Sequence, residues 1–307
     1  MAALRLGLIG AGRWGRAYIS TVTAMESVAL AGVASSNPET LSLAPPGCIV
    51  TEDWRELIAM PQIEAVIIAA PPSLHYEMAM SAIGAGKPAL VEKPVTLNLR
   101  DAEHLADLAT RAGVQLMVEH THLFAPAFRE LVRRVPEIGP LRLLRGRANN
   151  EGPFRKDVPV LWDWGAHDVS MCIAIAGHPN GEAARIVERR VGVPNAETVG
   201  ISLNWEEGPN GDIVVGNIST PKRRRFEAIG AQGTLVYDDL AEAKLVLTKP
   251  DGSSTPIAVG SEAPLSAAVA AFAAAAKAPP DPADLALAID VVRILAACER
   301  SVAAASR

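Results

Sequence analysis

Six residues near the N-terminus, Gly10-Ala11-Gly12-Arg13-Trp14-Gly15, carry the spacing G-x-G-x-x-G. In that spacing the first glycine makes a tight turn, the second lets backbone approach a pyrophosphate, and the third packs a helix against a strand. A helix opening there offers unpaired backbone N–H groups to an anion. An apolar run precedes the motif and a helical stretch follows it, which favours dinucleotide binding over a glycine-rich turn without a ligand. At the end of the second apolar run stand Ser35, Ser36 and Asn37, with no acid before Glu39. An acid at that point accepts from the ribose 2′-hydroxyl of NAD. Neutral donors tolerate a 2′-phosphate, and Arg13 is a candidate to reach it. NADP is therefore the expected cofactor, with NAD as the alternative; an ordinary serine–asparagine turn would show the same residues.

Two further groups could move protons and stabilise charge. Glu92-Lys93-Pro94 ends another apolar run, where the crevice of a doubly wound sheet opens, and a fixed ammonium there can stabilise a developing alkoxide. A solvated lysine at a strand end is the competing reading. Asp163-Trp164-Gly165-Ala166-His167 puts an acid and a histidine four residues apart, on one face if the segment is a single helix. Histidine takes or returns a hydroxyl proton near neutral pH, and a carboxylate can hold its orientation. A helix-capping aspartate beside a packed histidine accounts for the pair equally well. Trp162 and Trp164 either flank a nicotinamide or belong to a core. His104, His122 and His178 lack metal-ligand spacing with cysteines or acids, so no metal is expected.

The elements that must position these residues follow from apolar periodicity. Leu4–Gly10, Val28–Ala34, Glu64–Ala69, Pro88–Val91 and Gln115–Val118 read as buried strands separated by helices. One of those helices spans Asn98–Ala112, with Asn98 as N-cap and Gly113 just beyond its end. Strands alternating with helices imply a parallel, doubly wound sheet that binds ligands at the carboxyl ends of its strands. Beyond residue 121 the pattern changes. A helix near Ala125–Val135 leads to a strand over Leu141–Asn149, and a helix starts near Trp162. Strand-like runs follow at Ala184–Val191, Thr198–Trp205, Asp212–Ile218, Arg225–Ile229, Thr234–Tyr237 and Lys244–Leu247, joined by short turns. They imply a largely antiparallel sheet with helices on one face. The alanine-rich stretch from Pro264 reads as a helix, and Asp281-Pro282 as the N-cap and first position of a closing one.

Composition bounds the rest. A net charge of −5 and 49% hydrophobic residues suit a globular protein with sizeable cores and no general affinity for nucleic acid or membrane surfaces. Cys48, Cys172 and Cys298 are too scattered for a redox or metal pair, which points to the reducing cytoplasm. Neither a signal peptide nor a membrane-spanning run is read. Lys222-Arg223-Arg224-Arg225 reads as a solvated strand edge or an oligomer contact rather than a phosphate or nucleic-acid site.

The glycine motif, Ala69-Ala70-Pro71-Pro72-Ser73-Leu74-His75, Gly86 to Pro94, and Asp163 with His167 together resemble the glucose–fructose oxidoreductase/inositol dehydrogenase (Gfo/Idh/MocA) family along nearly the whole chain. The resemblance implies a Rossmann domain over residues 1–121 and, over 122–307, an α/β domain with a large open sheet. It implies Lys93, Asp163 and His167 as the catalytic group, and Pro71, His75 and Glu92 near the cofactor. A finer resemblance, to the nucleotide-sugar 3-dehydrogenase branch, rests on His120-Thr121 with Pro126 and on the segment Arg155 to Asp168. It offers His120, Asn149, Arg155 and Asp157 as substrate contacts; ordinary loop polar groups are the alternative for the last three. The chain departs from that branch at Glu119, where glycine is usual, and at Trp164-Gly165-Ala166. The expected activity is hydride transfer between NAD(P) and a secondary alcohol of a sugar, cyclic polyol or nucleotide sugar. A redox-cycling hydrolase or lyase and a non-catalytic dinucleotide-binding regulator are the alternatives. A homodimer or homotetramer through the C-terminal sheet is expected.

Overall fold

The computed structural model describes residues 3–305. The chain divides into two compact units, one of residues 1–119 with 263–292, the other of residues 120–262 with 293–307. A contiguous division after residue 121 therefore misplaces the stretch 263–292, which clusters with the first unit although it is remote in sequence.

In the first unit, strands β1 (Leu4–Ile9), β2 (Val28–Ala34), β3 (Ile49–Thr51), β4 (Ala65–Ile68), β5 (Ala89–Glu92) and β6 (Leu116–Glu119) alternate with helices. These are α1 (Arg13–Thr23), α2 (Thr40–Leu43), α3 (Trp54–Ala59), α4 (Pro72–Gly84) and α5 (Leu99–Ala112). All six strands are parallel, in the order β3-β2-β1-β4-β5-β6. β4, β5 and β6 are buried at every position, as strands covered on both faces must be. The expected strands are all present within a residue or two; β3, only three residues long, is an addition. Asn98 caps α5 by accepting from the Asp101 backbone N–H, and Gly113 ends the helix at φ +63°. The chain order reverses between β1 and β4, so the crevice of this sheet opens beyond Ile9 and Ile68, at Gly10 and Ala69.

The second unit opens with α6 (Pro126–Arg134), then β7 (Leu141–Glu151), α7 (Val160–Asp163) and α8 (Gly165–Ala176). Strands β8 (Gly181–Arg189), β9 (Glu197–Asn204), β10 (Asn210–Gly216), β11 (Ile218–Gly230), β12 (Thr234–Asp238), β13 (Leu245–Thr248) and β14 (Ser254–Pro256) follow. They form an eight-stranded sheet in the order β14-β13-β12-β11-β7-β10-β9-β8, antiparallel except for the pair β10–β7. Strand alternation sorts its two faces. Leu144, Ile201, Ile213, Val215, Phe226 and Ala228 are buried on the side of α6, α7 and α8. Arg145, Arg147, Asp212, Arg225 and Glu227 stand on the other side and pair across strands, with Arg147–Asp212 at 2.5 Å and Arg145–Glu227 at 3.0 Å.

Three expectations change here. β11 runs through the basic cluster Lys222–Arg225, which pairs with β7 from Arg223 and with β12 only from Arg225, so the cluster stands where an otherwise interior strand extends past β12 rather than on an edge strand. Its pairing with β7 over eleven residues of the latter sustains it past Pro221, with a register shift between Ile218 and Arg223. The helix expected from Trp162 is two helices, broken at Trp164, whose φ of −99° and ψ of −40° leave it between α7 and α8. Gly165, just after the break, packs so close to Ile201 that a Cβ there would lie 3.0 Å from its Cδ1. β14 is an unanticipated short strand.

The chain closes with α9 (Pro264–Ala275) and α10 (Pro282–Ala305). α9 packs on α1, and Asp281 accepts from the backbone N–H of Ala283 as the N-cap of α10. No helix among the described residues is long and apolar enough to cross a membrane.

Candidate functional site

In the first unit the glycine loop joins β1 to α1. Gly10 has φ +96°, and a Cβ on it would lie 2.6 Å from the Ala69 carbonyl oxygen; a Cβ on Gly15 would lie 2.0 Å from the Gly10 carbonyl oxygen. Both positions exclude any side chain. Gly12 differs: its φ of −70° suits any L-residue, and a Cβ there would meet nothing within 4 Å. The second glycine is thus not required by the protein's own packing but borders open space, where a pyrophosphate would lie against the backbone. α1 has no acidic residue in its first turn and no side-chain cap, so its N–H groups and positive dipole end stay available to an anion. The residues present fit a dinucleotide phosphate.

The other loops of that crevice are tied together. Gly10 N–H donates to the Ala34 carbonyl at 2.9 Å, which fixes the end of β2 beside the phosphate loop. There Asn37 N–H donates to Ser35 Oγ at 3.1 Å and Glu39 N–H to Asn37 Oδ1 at 3.1 Å, while Ser36 and Arg13 face solvent. Ala11 is buried, and Trp14 is exposed. Pro71 caps α4. His75 is fully buried, with Nδ1 2.9 Å from the Pro94 carbonyl oxygen and Nε2 2.9 Å from that of Ala70, so one ring fastens the loop after β4 to the loop after β5. Glu92 accepts from the Tyr18 hydroxyl at 3.0 Å. Burial, and then the charges of Glu92 and Glu119, hold the Tyr18 phenol well above its ordinary value. Glu119 is the β6 register partner of Glu92. Lys93 is only 7% exposed, which removes the reading of a solvated strand-end lysine.

In the second unit Asp163 ends α7 and His167 lies in the first turn of α8, on either side of Trp164. Arg155 reaches Asp163 Oδ1 at 3.2 Å and Asp157 Oδ2 at 2.5 Å. The Arg155 hydrogen bond holds the Asp157 carboxyl below its ordinary range. Asn149 donates its amide to the carbonyls of Ser219 and Pro221 at 3.1 and 2.7 Å, so it braces β11. His120 is buried ahead of a short 3-10 turn over Thr121–Phe124.

Four residues beside His167 were given no chemical role by sequence reasoning. His122 meets the His167 ring edge-on, with centroids 5.1 Å apart, and its Nδ1 lies 3.0 Å from the Tyr237 hydroxyl. Burial, and then the Asp239 carboxylate, raise the Tyr237 phenol far above its ordinary value. Asp168 is buried, and desolvation pushes its carboxyl up to about 7 against the opposing pull of Arg224 and Arg147. Arg224 lies over the Trp164 ring at 4.0 Å. Only the adjacency of His167 and Asp168 hinted at this cluster. The structure therefore gathers Asp163, His167, Arg155 and Asp157 in one unit, and holds Lys93, Glu92, His75, Pro71 and the glycine loop in the other.

Comparison with known proteins places these features in a group. Residues 4–120 match the GFO_IDH_MocA model, described as an oxidoreductase family with an NAD-binding Rossmann fold. A solved structure from Magnetospirillum magnetotacticum MS-1, described as a candidate oxidoreductase, is 44% identical, covers 96% of this chain and 99% of its own, and superposes with a TM-score of 0.90. The scyllo-inositol 2-dehydrogenase (NADP(+)) of Bacillus subtilis is 26% identical over 82% of this chain and 74% of its own length. The UDP-N-acetylglucosamine 3-dehydrogenase of Acidithiobacillus ferrooxidans, at 22% identity, shares the fold over 99% of both chains with a TM-score of 0.84.

Proposed function

Because this chain belongs to the Gfo/Idh/MocA oxidoreductase family, and is an NAD(P)-dependent enzyme, we infer that it oxidises or forms a secondary alcohol on a sugar, cyclic polyol or nucleotide sugar. The observations that carry the reading are, in one unit, the burial of Lys93 at the end of β5 and, in the other, the hold of Arg155 on Asp163, four residues before His167. That is the donor set alcohol oxidation requires. Gly10 to Gly15 hold the pyrophosphate on the N-terminus of α1, and Ser35, Ser36 and Asn37 border the adenosine ribose. Pro71, His75 and Glu92 shape the nicotinamide end. When bound, the nicotinamide supplies the acceptor for the hydride that leaves the carbinol carbon.

The protein's own residues handle the proton and the charge. Neutral His167 takes the hydroxyl proton, while the Lys93 ammonium stabilises the alkoxide that develops as the O–H bond breaks. Asp163 opposes the positive charge His167 gains, and the Arg155 contact fixes the carboxylate in place. In the reverse direction His167 returns the proton to the alkoxide. His120, Arg155 and Asp157 are the nearest polar candidates for substrate contact; the spent amide of Asn149 makes it a weaker one. The scyllo-inositol relative and the nucleotide-sugar fold neighbour keep both polyols and nucleotide sugars within the substrate class. A homodimer or homotetramer through the charged face of the eight-stranded sheet and a cytoplasmic location complete the reading; its support is that face's exposure and three unpaired cysteines.

The test is a panel of polyols, sugars and nucleotide sugars incubated with NADP+ or NAD+ and followed by nicotinamide absorbance. Stoichiometric reduction of the nucleotide by one class supports the reading. Product formation without net absorbance change would instead establish a redox-cycling hydrolase or lyase, and binding without turnover of any class a regulator.

A further inference from the structure

An ion pair between α1 and the turn after β2 occupies the region where the two nicotinamide dinucleotides differ. Arg16 stands one helical turn beyond Gly12, its N–H bonded to the Gly12 carbonyl at 2.9 Å. Its guanidinium Nη2 contacts Glu39 Oε2 at 2.5 Å, and both side chains are substantially exposed, at 46% and 63%. Glu39 is the first acid after β2, and it is directed onto Arg16 by the turn that its own N–H closes on Asn37. The Gly10–Ala34 hydrogen bond keeps that turn beside the phosphate loop.

A dinucleotide whose pyrophosphate rests at Gly12 directs its adenosine ribose to the end of β2. The Glu39 carboxylate thus holds on Arg16 the place of an anion, at the point where NADP carries a phosphate and NAD a hydroxyl. An exposed ion pair contributes at most about 1 kcal/mol, so it yields readily. A phosphate offers a guanidinium two parallel charge-assisted hydrogen bonds and more negative charge than a carboxylate.

We propose that Arg16 is the receptor for the cofactor's 2′-phosphate and that Glu39 is an internal competitor which gives Arg16 up when NADP binds. The proposal rests on the reading that the Gly10–Gly15 loop binds the dinucleotide. Arg16 then makes NADP the preferred form, and Glu39 limits the preference. With NAD bound, the Arg16–Glu39 pair stays closed and contributes little.

Calorimetric titration of the full chain with NADP+, NAD+, adenosine 2′,5′-bisphosphate and adenosine 5′-monophosphate tests this without reference to turnover. Arg16→Gln should weaken both 2′-phosphorylated ligands by roughly tenfold or more, the loss expected for a charge-assisted pair, and leave NAD+ and adenosine 5′-monophosphate within about twofold. Glu39→Gln should tighten the 2′-phosphorylated ligands several-fold and leave the others alone. Both side chains are exposed, and melting curves confirm that each variant is folded. An unchanged NADP+ to NAD+ ratio in Arg16→Gln overturns the proposal, as does weaker NAD+ binding in Glu39→Gln, which would make Glu39 the acceptor of the 2′-hydroxyl. Wild type that binds neither dinucleotide would refute the loop reading itself, a distinct result.

Discussion

The glycine loop and the Trp162–Asp168 segment prepare their chemistry by opposite means. At Gly10, Gly12 and Gly15 the chain omits side chains, so that backbone N–H groups and the end of a helix meet an anion directly. Around His167 it crowds side chains instead: Asp163 on Arg155, His122 against the imidazole, Asp168 beneath the sheet and Arg224 on Trp164. A backbone site depends on local geometry, which a short motif specifies. A side-chain site depends on partners brought from distant strands, such as Tyr237 on His122. The first should fail by steric obstruction, with charge deciding only the choice between the two dinucleotides at Arg16; the second should fail through charge and proton inventory.

The largest effect that sharpens this contrast belongs to Gly12. Valine there should abolish measurable binding of both nicotinamide dinucleotides and leave the melting temperature near that of wild type, since the new Cβ meets no protein atom. Gly15→Ala should differ in kind. Its Cβ would strike the Gly10 carbonyl oxygen, so folding suffers along with binding. Titration and melting of the two variants side by side check this; a destabilised Gly12→Val protein would place that glycine with the packing glycines.

Asp168 comes next. Its carboxyl ionises at about 7 in the fold, against about 3.9 in an unfolded chain. A raised folded value means that folding is favoured while the group is protonated. Stability is thus highest below the unfolded value, falls as pH rises from about 4 to 7, and is level above that. The groups facing this carboxyl are Arg224, Arg147, Cys172 and Tyr237; the two arginines already soften the cost. Relative to Asp168→Asn, wild type should lose roughly 4 kcal/mol over that interval, from three units at 1.36 kcal/mol each. Urea unfolding of both proteins at pH 4.5, 6 and 7.5 measures it, and parallel curves would show that Asp168 keeps an ordinary carboxyl.

The smallest effect is that of Tyr237→Phe. It removes the hydroxyl partner of His122 Nδ1 and releases the ring that packs on His167. A single hydrogen bond of this kind contributes about 1 kcal/mol, so a few-fold change in turnover with unchanged dinucleotide affinity is expected. A change confined to dinucleotide binding would detach the pair from His167.

What the sequence made legible follows the same divide. The glycine motif, the caps Asn98 and Gly113 and the buried runs of β1, β2, β4, β5 and β6 are local signals, and the structure places them within a residue or two. β3 and β14 escaped because three residues carry no periodicity. The parallel pairing of β10 with β7 and the full length of β11 depend on contacts made far along the chain, and Pro221 disguised the latter as a break. The interruption at Trp164 and the close packing of Gly165 on Ile201 are not revealed by any spacing within Asp163–His167. His122 with Tyr237, 115 residues apart, and Arg16 with Glu39, 23 apart, were out of reach for the same reason. Lys93 stands out as a candidate from its place at a strand end, and only the fold shows that it is buried.

The central claim is that proton transfer and cofactor binding reside in separate parts of the chain. The measurement that tests it most directly pairs turnover with dinucleotide affinity for His167→Ala and Lys93→Met on the best substrate of the panel. Turnover should fall by about 10²–10⁴ in His167→Ala, the usual contribution of a positioned acid–base group, and comparably in Lys93→Met, with dinucleotide affinity in His167→Ala within about twofold of wild type. Near-wild-type turnover in either variant, or lost dinucleotide binding in His167→Ala, would contradict the account.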